Sequence, residues 1–140
     1  MAIVQTQCTV FKVNLLDGRE NFNAGSPYTY KIALYYANAD LNANTLVYTT
    51  TDEVTGTGYT AGGEILYPTI PSSGSGTAFV SFADVTWFPA SFTTRGALIY
   101  NSTTGAAVAV LNFGSDKIAA GIFTITFPTA DASNAILRIS

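Results

Sequence analysis

Histidine is absent from the chain of 140 residues, and cysteine occurs once, as Cys8. Without histidine the commonest general base and metal ligand of proteins is missing, and so are the Ser-His and Cys-His nucleophile pairs. A single cysteine forms no disulfide within the chain and no cysteine-based zinc cluster, so Cys8 is interpreted as a small packing residue. These absences disfavour most hydrolase mechanisms, and we expect neither enzyme activity nor a cofactor.

Charge is scarce as well. Charged residues make up 11% of the sequence, and nine acids against six bases give a net charge of -3. The bases are scattered singly, whereas binding to a phosphate backbone relies on clustered Lys and Arg, so nucleic acid is not an expected partner. No basic N-terminal segment precedes an apolar run, and no uninterrupted apolar run reaches about 18 residues. We therefore expect a soluble, cytoplasmically made protein with no signal peptide and no membrane partner.

What the sequence does contain is short runs of β-branched and aromatic residues, separated by Gly, Ser, Asn, Asp and Pro. In residues 121–128 the side chains of Phe123, Ile125 and Phe127 alternate with threonines, which is typical of a half-buried strand. About eight such runs occur, and they predict an all-β fold, a jelly-roll-like antiparallel sandwich in a single domain over residues 1–140. The runs cover residues 28–36, 45–50, 64–70, 77–85, 96–101, 106–113, 121–128 and 135–139.

The connections and the N-terminal segment, residues 1–20, complete this prediction. Residues 101–105 have the composition of a hairpin loop, residues 114–117 read as a similar turn, and residues 71–76 as a flexible loop tip. Residues 9–18 fit either a strand or a short helix with Thr9 as its N-cap. The helix is slightly favoured, because two adjacent leucines fit a helical stripe better than strict alternation.

Residues 49–66 place four glycines behind the acidic pair Asp52 and Glu53. A phosphate-binding loop needs a lysine or the N-terminus of a helix after its glycines, whereas Glu64 and a β-rich run follow here. Adjacent strand residues face opposite sides, so the acidic pair does not form a catalytic carboxylate pair. Asp17 and Glu20 are interpreted as a solvated turn, and no acid spacing predicts a metal site. The segment is predicted to be a mobile surface loop that exposes Tyr59.

Aromatic residues are the candidates for an interface. Residues 83–92 hold the only tryptophan, and such a dense aromatic run is more often core than an anchor in a neighbouring subunit. Pro89 predicts a bend or loop within this run. Two adjacent tyrosines on an earlier predicted strand, residues 28–36, give both sheet faces an aromatic side chain. The interface hypothesis names Tyr35, Tyr36, Tyr59, Trp87, Phe88 and Phe92.

Four segments, residues 30–63, 82–101, 109–117 and 123–139, resemble the small virion structural proteins of tailed bacteriophages. The combination of GTGYTAGG, at 56–63, with RGALIYN is more specific than either sequence alone, and the resemblance spans nearly the whole chain from about Phe11. It implies a sandwich that cements or decorates the capsid surface of the virion, binding the major capsid protein as a homotrimer after synthesis in the host cytoplasm. This family carries no catalytic motif, so the resemblance implies no catalytic residue.

An alternative is a tail-associated or fibre-associated virion protein that binds a host receptor or glycan. Its binding loops would be residues 55–63 or 71–76, with Tyr59 stacked on a sugar ring.

Overall fold

The computed structural model describes residues 2–140, which form two antiparallel sheets and one short helix. The prediction of an all-β sandwich of about eight strands with a short N-terminal helix is confirmed. The elements in chain order are β1 (Thr6–Gln7), α1 (Thr9–Leu16), β2 (Tyr30–Tyr35), β3 (Glu64–Leu66), β4 (Ser72–Gly74), β5 (Thr77–Val80), β6 (Val85–Asn101), β7 (Ala107–Ile125) and β8 (Leu137–Ile139).

The N-cap of helix α1 is Cys8, one residue earlier than the Thr9 that the sequence predicted. The first free backbone N–H groups find partners outside the helix: Cys8 donates to the carbonyl of Val108 and Thr9 to that of Ala43. These bonds satisfy donors that a helix leaves open at its start. Gly18 lies just past the end with a φ of 74°, as the helical reading of the segment expected.

The larger sheet is built around one long hairpin. Strands β6 and β7 pair along most of their length, and the order of strands in the sheet is β1-β7-β6-β2-β3. The predicted hairpin loop at 101–105 joins these two strands. The predicted turn at 114–117 is wrong, because β7 continues through it and the extra residues are absorbed by a register shift opposite Thr94 and Gly96. Pro89, predicted to cause a bend or loop, lies within β6 at a second register shift, between Trp87 and Ala90.

The smaller sheet has the order β4-β5-β8. Its first hairpin turns through Ser75 and Gly76, which have φ angles of 52° and 78°. Two consecutive residues with positive φ form the tight turn that suits the twist of paired strands. The segment predicted as a flexible loop tip is therefore a short strand and a tight turn.

One hydrophobic cluster contains residues from both sheets and from α1. Alternation along the first part of β6, changed in phase by the register shift between Trp87 and Ala90, directs Val85, Trp87 and Phe92 into this cluster. Residues 45–50, predicted as a strand, contribute only an isolated bridge between Val47 and Ala106. The Tyr48 side chain of this segment belongs to a buried polar cluster described below.

The glycine-rich segment is closely packed against the larger sheet. A Cβ atom on Gly63 would lie 1.7 Å from the carbonyl oxygen of Ile32, and one on Gly58 would lie 1.6 Å from that of Pro89. Both glycines also have positive φ. They are therefore required by the close approach of two backbones as well as by the turn.

Gly63→Ala is expected to destabilise the protein much more than Gly114→Ala. The two glycines have similar φ angles of 78° and 83°, but no atom lies within 4 Å of a Cβ built on Gly114. Gly114→Ala isolates the cost of positive φ, about 1 kcal/mol, whereas Gly63→Ala adds a backbone clash and should cost about 3 kcal/mol or more. Urea unfolding followed by circular dichroism measures both. Equal losses of unfolding free energy would show that the close approach to Ile32 does not contribute to stability.

Candidate functional site

Glu53 is buried beneath the glycine-rich segment and is held by three donors. The Tyr48 hydroxyl donates to Oε1 at 2.6 Å, and the backbone N–H of Gly62 donates to Oε2 at 2.8 Å. The Tyr59 hydroxyl donates to the same Oε2. A buried carboxylate is costly unless such donors replace its hydration, so these bonds fix the segment to the acid beneath it.

The donors are themselves fixed by the sheet. Tyr100, on β6, donates to the carbonyl of Gly62 at 2.8 Å, and its ring stacks on that of Tyr48 with centroids 4.6 Å apart. The Tyr59 hydroxyl also accepts a bond of 2.9 Å from the backbone N–H of Leu34. Tyr35 donates to the carbonyl of Thr49 at 2.6 Å. Three tyrosine hydroxyls, those of Tyr35, Tyr59 and Tyr100, thus connect residues 49–62 to the sheet.

These tyrosines remain protonated donors. Burial, followed by the nearby charge of Glu53, raises the pKa of Tyr100 to about 12. Burial is also the largest cause that raises the pKa of Tyr48, Tyr59 and Tyr35 further above the ordinary value. Both oxygens of Glu53 accept bonds from these neutral donors, so the carboxylate holds the glycine-rich segment in place.

A second buried carboxylate, Glu20, lies beside the start of β2. Its Oε1 accepts bonds of 2.9 Å from the Tyr30 hydroxyl and from Nδ2 of Asn101, whereas Oε2 is buried without a partner among the described residues. Burial raises the pKa of this carboxyl, and the bonds from Asn101 and Tyr30 oppose the rise. The interpretation of Glu20 as part of a solvated turn is therefore wrong. Tyr30 and Asn101 surround the side chain after folding, which sequence neighbours do not reveal.

The six aromatic residues of the interface hypothesis are not brought together on the surface. Trp87 is 1% exposed, and Tyr35 and Phe92 are buried with it in the core, so these three side chains pack within their own chain. Tyr36 and Tyr59 are half-buried and pack against that core. Phe88 alone among the six is largely open, with 76% of its surface exposed. The prediction of Tyr59 in a mobile, exposed loop is wrong, because its hydroxyl bonds Glu53 and Leu34.

An exposed apolar surface surrounds Phe88. The pairs Thr86–Thr124, Ser91–Ala120 and Thr93–Ile118 bring the outward side chains of β6 and β7 onto one side of the hairpin. We call this side the ribbon face and define it by the following residues: Thr86, Phe88, Ser91, Thr93, Ile118, Ala120, Ile122 and Thr124.

The ribbon face combines large exposed apolar side chains with an absence of charge. Phe88, Ile118 and Ile122 are exposed by 76%, 78% and 59%. No residue of the face is charged, and the ion pair of 3.0 Å between Arg95 and Asp116 closes one end of it. Contiguous exposed apolar surface marks interaction sites, whereas isolated apolar residues do not. The ribbon face is therefore the best candidate for a functional surface in residues 2–140.

Sequence reasoning found Phe88 but missed Ile118, which lies between two of the predicted strands, and Ile122, which lies inside the predicted strand 121–128. Part of the ribbon face could be predicted from alternation. With Trp87 taken as core, period-two alternation directs Phe88 outward. Ile118 was missed because GSDK was read as a turn, so residues 118–120 were not assigned to a strand. Ile122 was within a predicted strand, on the same face as Thr124, but was not considered as a surface residue.

Neither a metal centre nor a membrane-spanning helix is found in residues 2–140. No group of three or more Cys, Asp or Glu side chains is close enough to hold a metal ion, and no helix there is long and apolar enough to cross a membrane. Comparison of the chain with protein-family models, with curated proteins and with solved structures finds no match.

Tyr59→Phe is expected to lower the free energy of unfolding by about 2 kcal/mol, because it removes one donor from Glu53 and leaves the Leu34 N–H without its acceptor. Tyr36→Phe is the matched control. That hydroxyl bonds Thr55 near the surface, where water can replace it, so its loss should cost less than about 1 kcal/mol. Denaturant unfolding of both variants checks the difference, and equal losses would contradict a special role for Glu53.

Glu20→Gln is expected to stabilise the protein at neutral pH. Because the folded-state pKa of Glu20 is raised, the native state holds the proton more tightly than the unfolded state does. This contribution is fully present below the unfolded pKa, near 4.5, and is lost as pH rises through the folded value. The Gln variant should therefore lose less stability than the wild type between pH 4.5 and 7. Melting temperatures across this range provide the measurement, and parallel curves would contradict the expectation.

Proposed function

We propose that this chain is a non-enzymatic structural protein of a tailed-bacteriophage virion, which cements or decorates the capsid by binding the major capsid protein. The observation that carries the proposal is the ribbon face, an extended sheet surface with three large exposed apolar side chains and no charge. Such a surface suits permanent contact with protein better than contact with water. The resemblance of the four sequence segments to small phage virion proteins supplies the kind of assembly.

The sandwich beneath this face supports a mechanical role. On the inner side of the same hairpin, Trp87, Phe92 and Phe123 form a network of ring contacts with centroids 5.6 to 6.5 Å apart. Aromatic packing of this kind adds to the stabilisation from burial alone. The outer face is consequently presented by a well-packed support, which lowers the conformational cost of binding.

Collective binding explains how such a small protein would stabilise a shell. Each subunit buries limited apolar surface, but many copies across capsomer junctions oppose the outward pressure of packaged DNA together. The oligomer in this proposal is a homotrimer, as the resemblance implies. The net charge of -3 suits an outer surface that does not adhere to DNA.

Glu53 supports the non-enzymatic part of the proposal. Both its oxygens accept bonds from tyrosine or backbone donors. The tail or fibre alternative relies on Tyr59 as a sugar-stacking residue. The Tyr59 ring packs 5.9 Å from Phe92 and 6.3 Å from Trp87 between centroids, which favours the capsid role over the alternative.

Particles that contain the chain should show it in several hundred symmetric copies on the head. A density map of the intact particle is the measurement, and a few copies at the tail vertex would overturn the capsid role. Particles assembled without the chain should release DNA at a lower temperature, and purified protein should restore the loss. Phe88→Asp should fail to restore it, whereas Ile70→Asp, altered at an equally exposed site outside the ribbon face, should succeed.

A further inference from the structure

The two edges of the β6–β7 hairpin have different neighbours. On the β6 side, residues 56–58 cover the edge: Thr57 bridges Ser91, whose backbone N–H donates to the Thr57 carbonyl at 3.0 Å. On the β7 side, β1 pairs only with Ala109 and Val110. Beyond them, no described strand or bridge lies against the outer edge of residues 113–125.

The bond from Ser91 determines which backbone groups of β7 are open. A residue of an antiparallel strand directs its N–H and C=O to the same neighbour, and this direction alternates along the strand. Since Ser91 directs its N–H away from β7, its partner Ala120 must direct its own N–H and C=O away from β6. The alternation gives Ile118 and Ile122 the same outward direction. An open row of such groups is a template for another strand.

We propose that this edge pairs with the same edge of a second copy, as antiparallel strands related by a two-fold axis through Ala120. In this register Ile118 of each copy lies opposite Ile122 of the other, on the ribbon face. The axis is perpendicular to the sheet, so outward faces join outward faces and buried faces join buried faces. An isologous contact of this kind closes on itself and forms a dimer.

Charge selects both the partner and the register. From Ile118 to Ile125 the edge has no charged residue, and Asp116 is already paired with Arg95. Two copies with a net charge of -3 can thus meet along a stretch that adds no unpaired negative charge. The axis through Ala120 separates the two copies of Lys117 by six residues along the strands, about 20 Å, whereas an axis near Lys117 would bring these like charges together.

Gly121 sets the length of the contact. Its φ of 102° bends β7 there, so the ladder that we propose is short and is centred on residues 118–122. A short pairing with two apolar cross-strand contacts gives a reversible dimer. This contact differs from the three-fold association of the capsid proposal and is independent of it, because it can be measured on the isolated chain.

Disulfide trapping tests the register. Opposed residues in a hydrogen-bonded pair have Cα atoms about 5.5 Å apart, within the range of a disulfide. Ala120→Cys should therefore form a covalent dimer under mild oxidation. Ser115→Cys is the matched control, exposed on the same strand, because its two copies would lie ten residues apart, about 33 Å. The native Cys8 is fully buried, and burial raises its thiol pKa to about 11, so it should stay unreactive.

We expect Ala120→Cys to cross-link at least tenfold faster than Ser115→Cys at equal concentration. Equal rates would overturn the proposal, and so would capture of another protein's strand at this edge while the chain itself stays unpaired. Circular dichroism of both reduced variants verifies that they fold.

Sedimentation equilibrium of chains without added cysteine provides a second readout. The wild type should approach about twice the monomer mass of 14.7 kDa as concentration rises. Ile118→Lys should remain a monomer, whereas Ile70→Lys should behave as the wild type, since both isoleucines are 78% exposed and only Ile118 lies at the edge. A monomeric wild type at millimolar concentration, or a loss of mass in both variants, would contradict the pairing.

Discussion

Burial of the Glu53 carboxylate is the constraint on which the surrounding structure depends. A charge without water must be surrounded by donors, and the chain supplies two tyrosine hydroxyls and the N–H of Gly62. To place that N–H, residues 56–63 must lie directly on the backbone of β2 and β6. Side chains at Gly58 and Gly63 would prevent this approach. The glycines of GTGYTAGG are thus explained by a buried acid two residues after the turn at Thr51, and not by a ligand.

The β6–β7 hairpin has two unlike faces and two unlike edges. Its inner face contributes Trp87 and Phe92 to the core, while its outer face leaves Phe88, Ile118 and Ile122 in water. Its β6 edge is covered by the glycine-rich segment, whereas its β7 edge is open past residue 112. Exposed apolar side chains beside an unpaired strand edge are typical of a surface that binds another protein. Contact with another protein would bury these side chains and pair the open edge.

Local pattern was sufficient for the fold class and insufficient for the contacts. Alternation predicted most of the strands, and the adjacent Leu15 and Leu16 favoured the helix that is present at Thr9–Leu16. Strand length was underestimated, since Gly114 lies within a strand and its positive φ is absorbed by the irregular pairing. The burial of the acids was not predicted for a different reason. Glu20 accepts a bond from Asn101, 81 positions away in the sequence, and local periodicity does not indicate such distant partners.

Tyr59 connects the buried charge to the exposed surface. Its hydroxyl is held by Glu53 and Leu34, and its ring packs against Trp87 and Phe92, the residues that support the ribbon from inside. Because cores are close-packed, a displacement of this ring must be transmitted to the strand that carries Phe88. The shape of the outer face is therefore coupled to hydrogen bonds on the inner side of the sheet. A surface that binds through many weak contacts depends on this rigidity, since each contact is too small to meet the cost of ordering a flexible strand.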